Sequence, residues 1–159
     1  MHKYGLTTFI KQKSVGFKFN KNSWPQHITF IDTFEININL PELIKKLENL
    51  LSVHKKISTY VTNEDYFGPN KDILVAKLNN TKELQDLHNS IVYLLESENA
   101  IFKRPYILKE NYKPHITINN RDEINIGDEI IIKSISIIDK SFNTNVDLRK
   151  VIANINLVN

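Results

Sequence analysis

Two seven-residue segments of this chain repeat one pattern. Trp24-Pro25-Gln26-His27-Ile28-Thr29-Phe30 and Tyr112-Lys113-Pro114-His115-Ile116-Thr117-Ile118 each place an aromatic residue and a proline ahead of His-x-Thr-x, with apolar residues at both x positions. Successive side chains of a β-strand point to opposite faces. Each segment therefore reads as a half-buried strand, its histidine and threonine on one face and its two apolar residues on the other. The histidines are 88 positions apart in 159 residues, one per half. A motif that recurs once per half suggests a duplicated half-domain. The expectation is a single domain over residues 1–159, made of two pseudo-symmetric lobes. If a pseudo-two-fold relates them, both His-Thr faces line one cleft.

Composition limits what such a cleft can do. There is no cysteine, which excludes disulfides, thiol nucleophiles, Cys-ligated zinc and iron–sulfur clusters. Hydrophobic residues make up 41% and charged residues 25%, enough for a packed core. The formal net charge is +3. Its distribution says more: Lys3, Lys11, Lys13, Lys18 and Lys21 precede the first acidic residue, Asp32. A basic block of this kind suits an anionic partner, or simply a solvated strand surface. The N-terminal apolar stretch is short and broken by threonines, and no run approaches the length of a membrane span. A cytoplasmic protein that does not enter a membrane is expected, and a monomer.

Strand signals dominate the rest. The pattern predicts strands at Tyr4–Ile10, Val15–Phe19, His27–Ile31 with extension toward Ile38, Lys56–Thr62, Asp72–Leu78, His115–Asn119, Glu129–Asp139 and Val151–Val158. Two amphipathic helices interrupt them. One spans Pro41–Val53 with Leu43, Ile44, Leu47, Leu50 and Leu51 on one stripe. The other spans Thr81–Glu98, capped by Thr81, with Leu84, Leu87, Ile91, Leu94 and Leu95 on its stripe. Strands and helices in this order indicate an α+β or α/β protein.

The paired motifs, His27 with Thr29 and His115 with Thr117, resemble those of the 2H phosphoesterase superfamily, which includes 2′,5′-RNA ligase-like proteins and cyclic nucleotide phosphodiesterases. Tyr66-Phe67-Gly68-Pro69 also resembles an aromatic-glycine turn of that family. The resemblance implies a bilobal α+β fold, with two antiparallel sheets around a central cleft, helices outside, and the four motif side chains meeting in the cleft. The chain departs from the family pattern at one place. A helix usually separates the first strand from the first motif, whereas here 16 residues, including Gly16, lie between Ile10 and His27 and read as strand or loop.

Two imidazoles around one phosphate suit general acid–base chemistry. A neutral ring takes a proton from water or a ribose hydroxyl, and a protonated ring gives one to the leaving oxygen. Which histidine plays which part is open at this stage. Thr29 and Thr117 would donate to non-bridging phosphate oxygens. No His-Glu-x-x-His, His-x-His or acidic triplet accompanies either motif, so no metal or other cofactor is expected. The function expected is a metal-independent phosphodiesterase acting on 2′,5′-linked or cyclic phosphodiesters of nucleotides or RNA ends. Alternatives are 2′,5′-RNA ligation, degradation of cyclic oligonucleotide signals, and a non-catalytic nucleotide- or RNA-binding module. Lys18, Lys21, Lys103, Arg104, Lys109 and Lys113 flank the motifs as basic residues. Lys113 is a candidate phosphate contact, since it alternates onto the face of His115 and Thr117. Trp24, Tyr66 and Tyr112 can either stack on a base or pack in the core; for Phe67 packing is favoured. His54 reads as a helix C-terminal residue and His88 as a structural flank of the second helix stripe.

Overall fold

The computed structural model describes residues 1–119, 124–141 and 146–159. Ten strands and two α-helices are present among them. The strands are β1 (His2–Phe9), β2 (Lys18–Asn20), β3 (His27–Ile36), β4 (Ile57–Phe67), β5 (Ile73–Leu78), β6 (Ile101–Phe102), β7 (His115–Thr117), β8 (Glu129–Ile132), β9 (Ser134–Asp139) and β10 (Leu148–Asn156). The helices are α1 (Leu40–Leu51) and α2 (Lys82–Ser97). Two 3-10 turns, Pro105–Ile107 and Lys109–Asn111, lead into β7.

The strands form two antiparallel sheets. One has the order β2-β10-β9-β1-β3-β6, the other β7-β5-β4-β8. β1 sits between β9 and β3, and its residues from Tyr4 to Phe9 are all buried, as befits a strand covered on both faces. Each His-x-Thr strand belongs to a different sheet, β3 to the six-stranded one and β7 to the four-stranded one.

Both helices start where their sequences specify. The Asn39 side chain accepts from the Glu42 amide at 2.9 Å, with Pro41 in the first turn. Thr81 accepts from the Leu84 amide at 3.1 Å. Leu43, Leu47 and Leu51 of α1 are buried, as are Leu84, Leu87, Ile91 and Leu95 of α2. These residues share one core cluster with Ile28, Phe30 and Ile116, apolar residues of the two motifs. The alternation thus works as the pattern requires: the apolar faces of β3 and β7 join the core to which the helices contribute, and the histidine–threonine faces are left for the cleft. Among the described residues no helix is long and apolar enough to cross a membrane.

Two strand expectations are corrected. In the Val15–Phe19 stretch only Lys18 and Phe19 join a strand, paired with β10. Gly16 turns with φ of 97°, which leaves Val15 and Phe17 exposed. The Glu129–Asp139 run breaks at Lys133 into β8, which pairs with β4, and β9, which pairs with β1 and β10. An uninterrupted β-branched run can thus cross between sheets, because its pattern does not say which neighbour each half pairs with. The two-residue β6, on the edge of β3, is a strand that the pattern does not predict.

Candidate functional site

His27 opens β3 and His115 opens β7, and both line one cleft of about 1110 Å³. Their local settings match. The His27 Nδ1 lies 2.8 Å from the Pro25 carbonyl, and the His115 Nδ1 lies 2.7 Å from the Lys113 carbonyl. A carbonyl only accepts, so each Nδ1 carries the proton and donates it. Each neutral ring then keeps its Nε2 lone pair for the cleft. The acceptor is two residues upstream in both motifs, although the proline sits at that position only in the first.

Both rings are held toward the neutral form. Burial pushes His27 down to about 4, opposed by the Pro25 carbonyl and reinforced by the nearby His115 and Lys140. Burial also lowers His115, against the pull of the Lys113 carbonyl and with help from Arg104. His27 feels the charge of His115, which places the two rings in one electrostatic neighbourhood. Thr29 and Thr117 line the same cleft, two residues beyond each histidine. Neither hydroxyl has a hydrogen-bond partner among the described residues.

The aromatic residues ahead of the motifs take different places. The Trp24 ring packs at a tilt of 33° on that of His27, centroids 4.4 Å apart, and is itself packed on Phe19 and Phe9. It both lines the cleft and belongs to an aromatic cluster. Tyr112 also lines the cleft, but its hydroxyl donates to the Thr29 carbonyl at 2.8 Å. Its ring stacks flat on His88 at 3.8 Å. Its phenol is thus occupied in bridging the two motifs, and burial pushes its pKa up. His88 is fully buried, its Nδ1 donating to the Phe30 carbonyl and its Nε2 accepting from the Lys109 amide. Tyr66 is exposed at the cleft wall, and the Phe67 ring meets His115 edge-on at 4.8 Å. Lys113 lines the cleft. Of the basic flanks, Lys21, Lys103 and Arg104 also line it, whereas Lys109 pairs with Glu96 at 2.8 Å.

Sequence reasoning missed Lys140, Arg149 and Asp32, which line the cleft beside the first motif. Asp32 is the one carboxylate among the described lining residues. Burial pushes its carboxyl up, but Lys140 and Arg104 outweigh that and hold it below the ordinary range. The signal that could have pointed to Lys140 is Gly5, a glycine inside a buried stretch of strand, which often marks a close approach by another group.

A family match covers most of the chain. Residues 11–146 match the 2′-5′ RNA ligase superfamily. The chain belongs to that superfamily. No curated protein sequence matches it, and the solved structures that resemble it do so at low identity. The TT0787 protein of Thermus thermophilus superimposes with a TM-score of 0.64 at 13% identity, over 98% of this chain and 97% of that one. LigT of E. coli, in its complex with NADP+, gives 0.59 at 11% identity over 99% and 98%. The same LigT with 3′-AMP gives 0.58 at 11% over 99% of each. At such identities the likeness shows the fold, an α+β arrangement of two antiparallel sheets and two helices.

Proposed function

We propose that this member of the 2′-5′ RNA ligase superfamily is a metal-independent phosphodiesterase acting on cyclic or 2′,5′-linked phosphodiesters of nucleotides or RNA ends. The observation that carries the reading is the matched pair of imidazoles on one cleft, each pinned by its Nδ1–H to a carbonyl two residues upstream and each accompanied by a threonine hydroxyl. The complexes of E. coli LigT with NADP+ and 3′-AMP support a nucleotide as the occupant.

On their own, both rings are neutral at pH 7. A phosphodiester placed between them brings negative charge, which favours protonation of one ring. His27, packed against Trp24 and pushed to about 4, is the ring that stays neutral, so the proton goes to His115. In opening a cyclic phosphate, the His27 Nε2 takes a proton from water as its oxygen forms the new bond to phosphorus. His115 Nε2 gives its proton to the departing ribose oxygen as that P–O bond breaks. One proton is taken and one is given, so the diester becomes a monoester and free hydroxyl with the enzyme's total protonation unchanged. Thr29 and Thr117 donate to the non-bridging oxygens, where charge builds in the transition state. With the 5′-hydroxyl of a second nucleotide in place of water, the same forward step forms its O–P bond as the 3′ oxygen leaves, and the product is a 2′,5′ linkage.

The test is turnover of 2′,3′-cyclic nucleotides and 2′,5′-linked dinucleotides in EDTA. Product formation that persists in EDTA, and that is lost in His27→Ala and His115→Ala proteins with unchanged circular dichroism, is expected. Activity abolished by EDTA and restored by a divalent ion would refute the metal-free mechanism. Tight nucleotide binding without turnover, insensitive to either substitution, would instead mark a binding module.

A further inference from the structure

Beside the histidine pair, the cleft gathers positive charge that the acid–base chemistry does not use. Lys140 follows β9, and its side chain crosses the neighbouring β1 to reach β3. Its Nζ donates to the Thr33 hydroxyl at 2.8 Å and lies 3.6 Å from Asp32. The crossing depends on Gly5: a Cβ there would lie 2.9 Å from the Lys140 Cε and 2.8 Å from the Asp32 carbonyl oxygen. The Lys140 side chain is only 9% exposed. Burying an ammonium is costly unless its charge is well compensated. Here compensation is partial, because Asp32 is already bound by the Arg104 Nε at 2.7 Å. Arg149, on β10, adds a further cation whose Nε is buried and makes no hydrogen bond. Burial lowers Lys140 to about 8 despite Asp32, and Arg149 and Lys103 contribute to that lowering.

We propose that Lys140, Arg149 and Arg104 form a second anion subsite, one that takes a further phosphate of the same substrate while the histidines act on the first. The inference deepens the phosphodiesterase reading and rests on it for the identity of the reacting group. The spacing fits one nucleotide: Trp24 adjoins both sites, its ring 4.4 Å from that of His27 and 5.7 Å from the Lys140 Nζ. A cleft of about 1110 Å³ is also larger than a nucleoside cyclic phosphate needs. The substrate class is thus a nucleotide bearing a second phosphate, such as a dinucleotide ending in a cyclic phosphate or a 5′-phosphorylated nucleoside cyclic phosphate, rather than a nucleoside with one phosphate. All three side chains line the cleft, and a phosphate there would take charge-assisted hydrogen bonds, the strong kind, from the Lys140 Nζ and from guanidinium N–H groups not engaged by Asp32, Val146 and Leu148.

The experiment compares adenosine 2′,3′-cyclic phosphate with its 5′-phosphorylated counterpart, at fixed ionic strength, in wild type, Lys140→Met and Arg149→Gln proteins. The wild type should favour the 5′-phosphorylated substrate at least tenfold in kcat/KM, and the preference should fall below threefold in both variants. No preference in the wild type, or a preference that survives both substitutions, overturns the subsite. Calorimetry with 3′-AMP and adenosine 3′,5′-bisphosphate separates this from the reading beneath it. If neither cyclic substrate is turned over, the phosphodiesterase fails. The subsite then stands if the bisphosphate binds at least tenfold tighter than 3′-AMP only in the wild type, and falls if the two bind alike. Arg149→Gln, at a part-exposed position, decides the matter if Lys140→Met does not fold.

Discussion

The two His-x-Thr strands obey the same local rule and receive very different support. β3 has ten residues and lies between β1 and β6; β7 has three and lies at the edge of its sheet, paired with β5. In both, the histidine donates to the carbonyl two residues upstream, so the tautomer is fixed by backbone geometry that even a three-residue strand provides. The divergence lies in the aromatic residue three positions before each histidine. Trp24 serves its own histidine, packing against His27. Tyr112 turns away from His115, stacks on His88 in α2, and bonds to the backbone of Thr29 in the other motif. The long strand is therefore supported from within its own half, while the short one is tied across the molecule.

If the motifs are equal partners in chemistry despite that difference, removing either imidazole should have the same consequence. His27→Ala and His115→Ala should each lower kcat/KM by at least about a hundredfold, since one proton transfer accounts for roughly 10²–10⁴-fold. The double variant should be little worse than either single one, because groups that act as a unit are strongly non-additive. Steady-state turnover of a cyclic nucleotide checks both. A variant that retains a tenth of wild-type activity would break the equivalence. Thr29→Val and Thr117→Val come next, with losses of about 10²–10³ in kcat if each hydroxyl stabilises charge on the phosphate. A loss at only one of them would show that the phosphate leans on a single strand.

The same contrast explains why part of the site was legible and part was not. The histidines and threonines are readable because a strand's period of two puts both on one face, wherever the strand lies. The helices were readable from their stripes and from Thr81; Asn39, which caps α1, lies just ahead of the Pro41 start. The register of sheets was not. Nothing in Glu129–Asp139 says that β8 and β9 belong to different sheets, nor that Lys140 then crosses a glycine to reach Asp32. Tyr112 was readable as an aromatic residue near the site, but its hydroxyl is committed to a carbonyl 83 positions away. Short-range pattern fixes faces, whereas long-range pairing decides which groups share a cleft.

Acid sharpens the difference between the two imidazoles. An exposed histidine of the unfolded chain titrates near 6.5, and His27 in the folded protein titrates at about 4. Between these values the unfolded state binds the extra proton, so stability is full above about pH 6.5 and falls as pH drops toward 4. The contribution of His27 is up to about 3 kcal/mol, taking about 1.4 kcal/mol for each pH unit that separates the two values. Urea unfolding at pH 7 and pH 4.5 should show this loss in the wild type and a smaller one in His27→Gln. His88, also pushed to about 4 by burial, supplies a parallel loss that remains in that variant. An identical loss in both proteins would mean that His27 is far more hydrated than its place under Trp24 implies.

Tyr112→Phe probes the tether itself and should have the smallest effect on stability. The ring and its stack on His88 are kept, and one hydrogen bond to the Thr29 carbonyl is lost, a change of about 1 kcal/mol. If the bond only adds stability, the melting temperature falls slightly and kcat at 25 °C is unchanged. If it holds β7 and its histidine in place against β3, the same small loss of stability should come with a several-fold drop in kcat and little change in KM, because the phosphate is bound but the two imidazoles bracket it less well. The second outcome is expected. The three-residue strand has little of its own to hold it, and Tyr112 is bonded to the motif with which it must align.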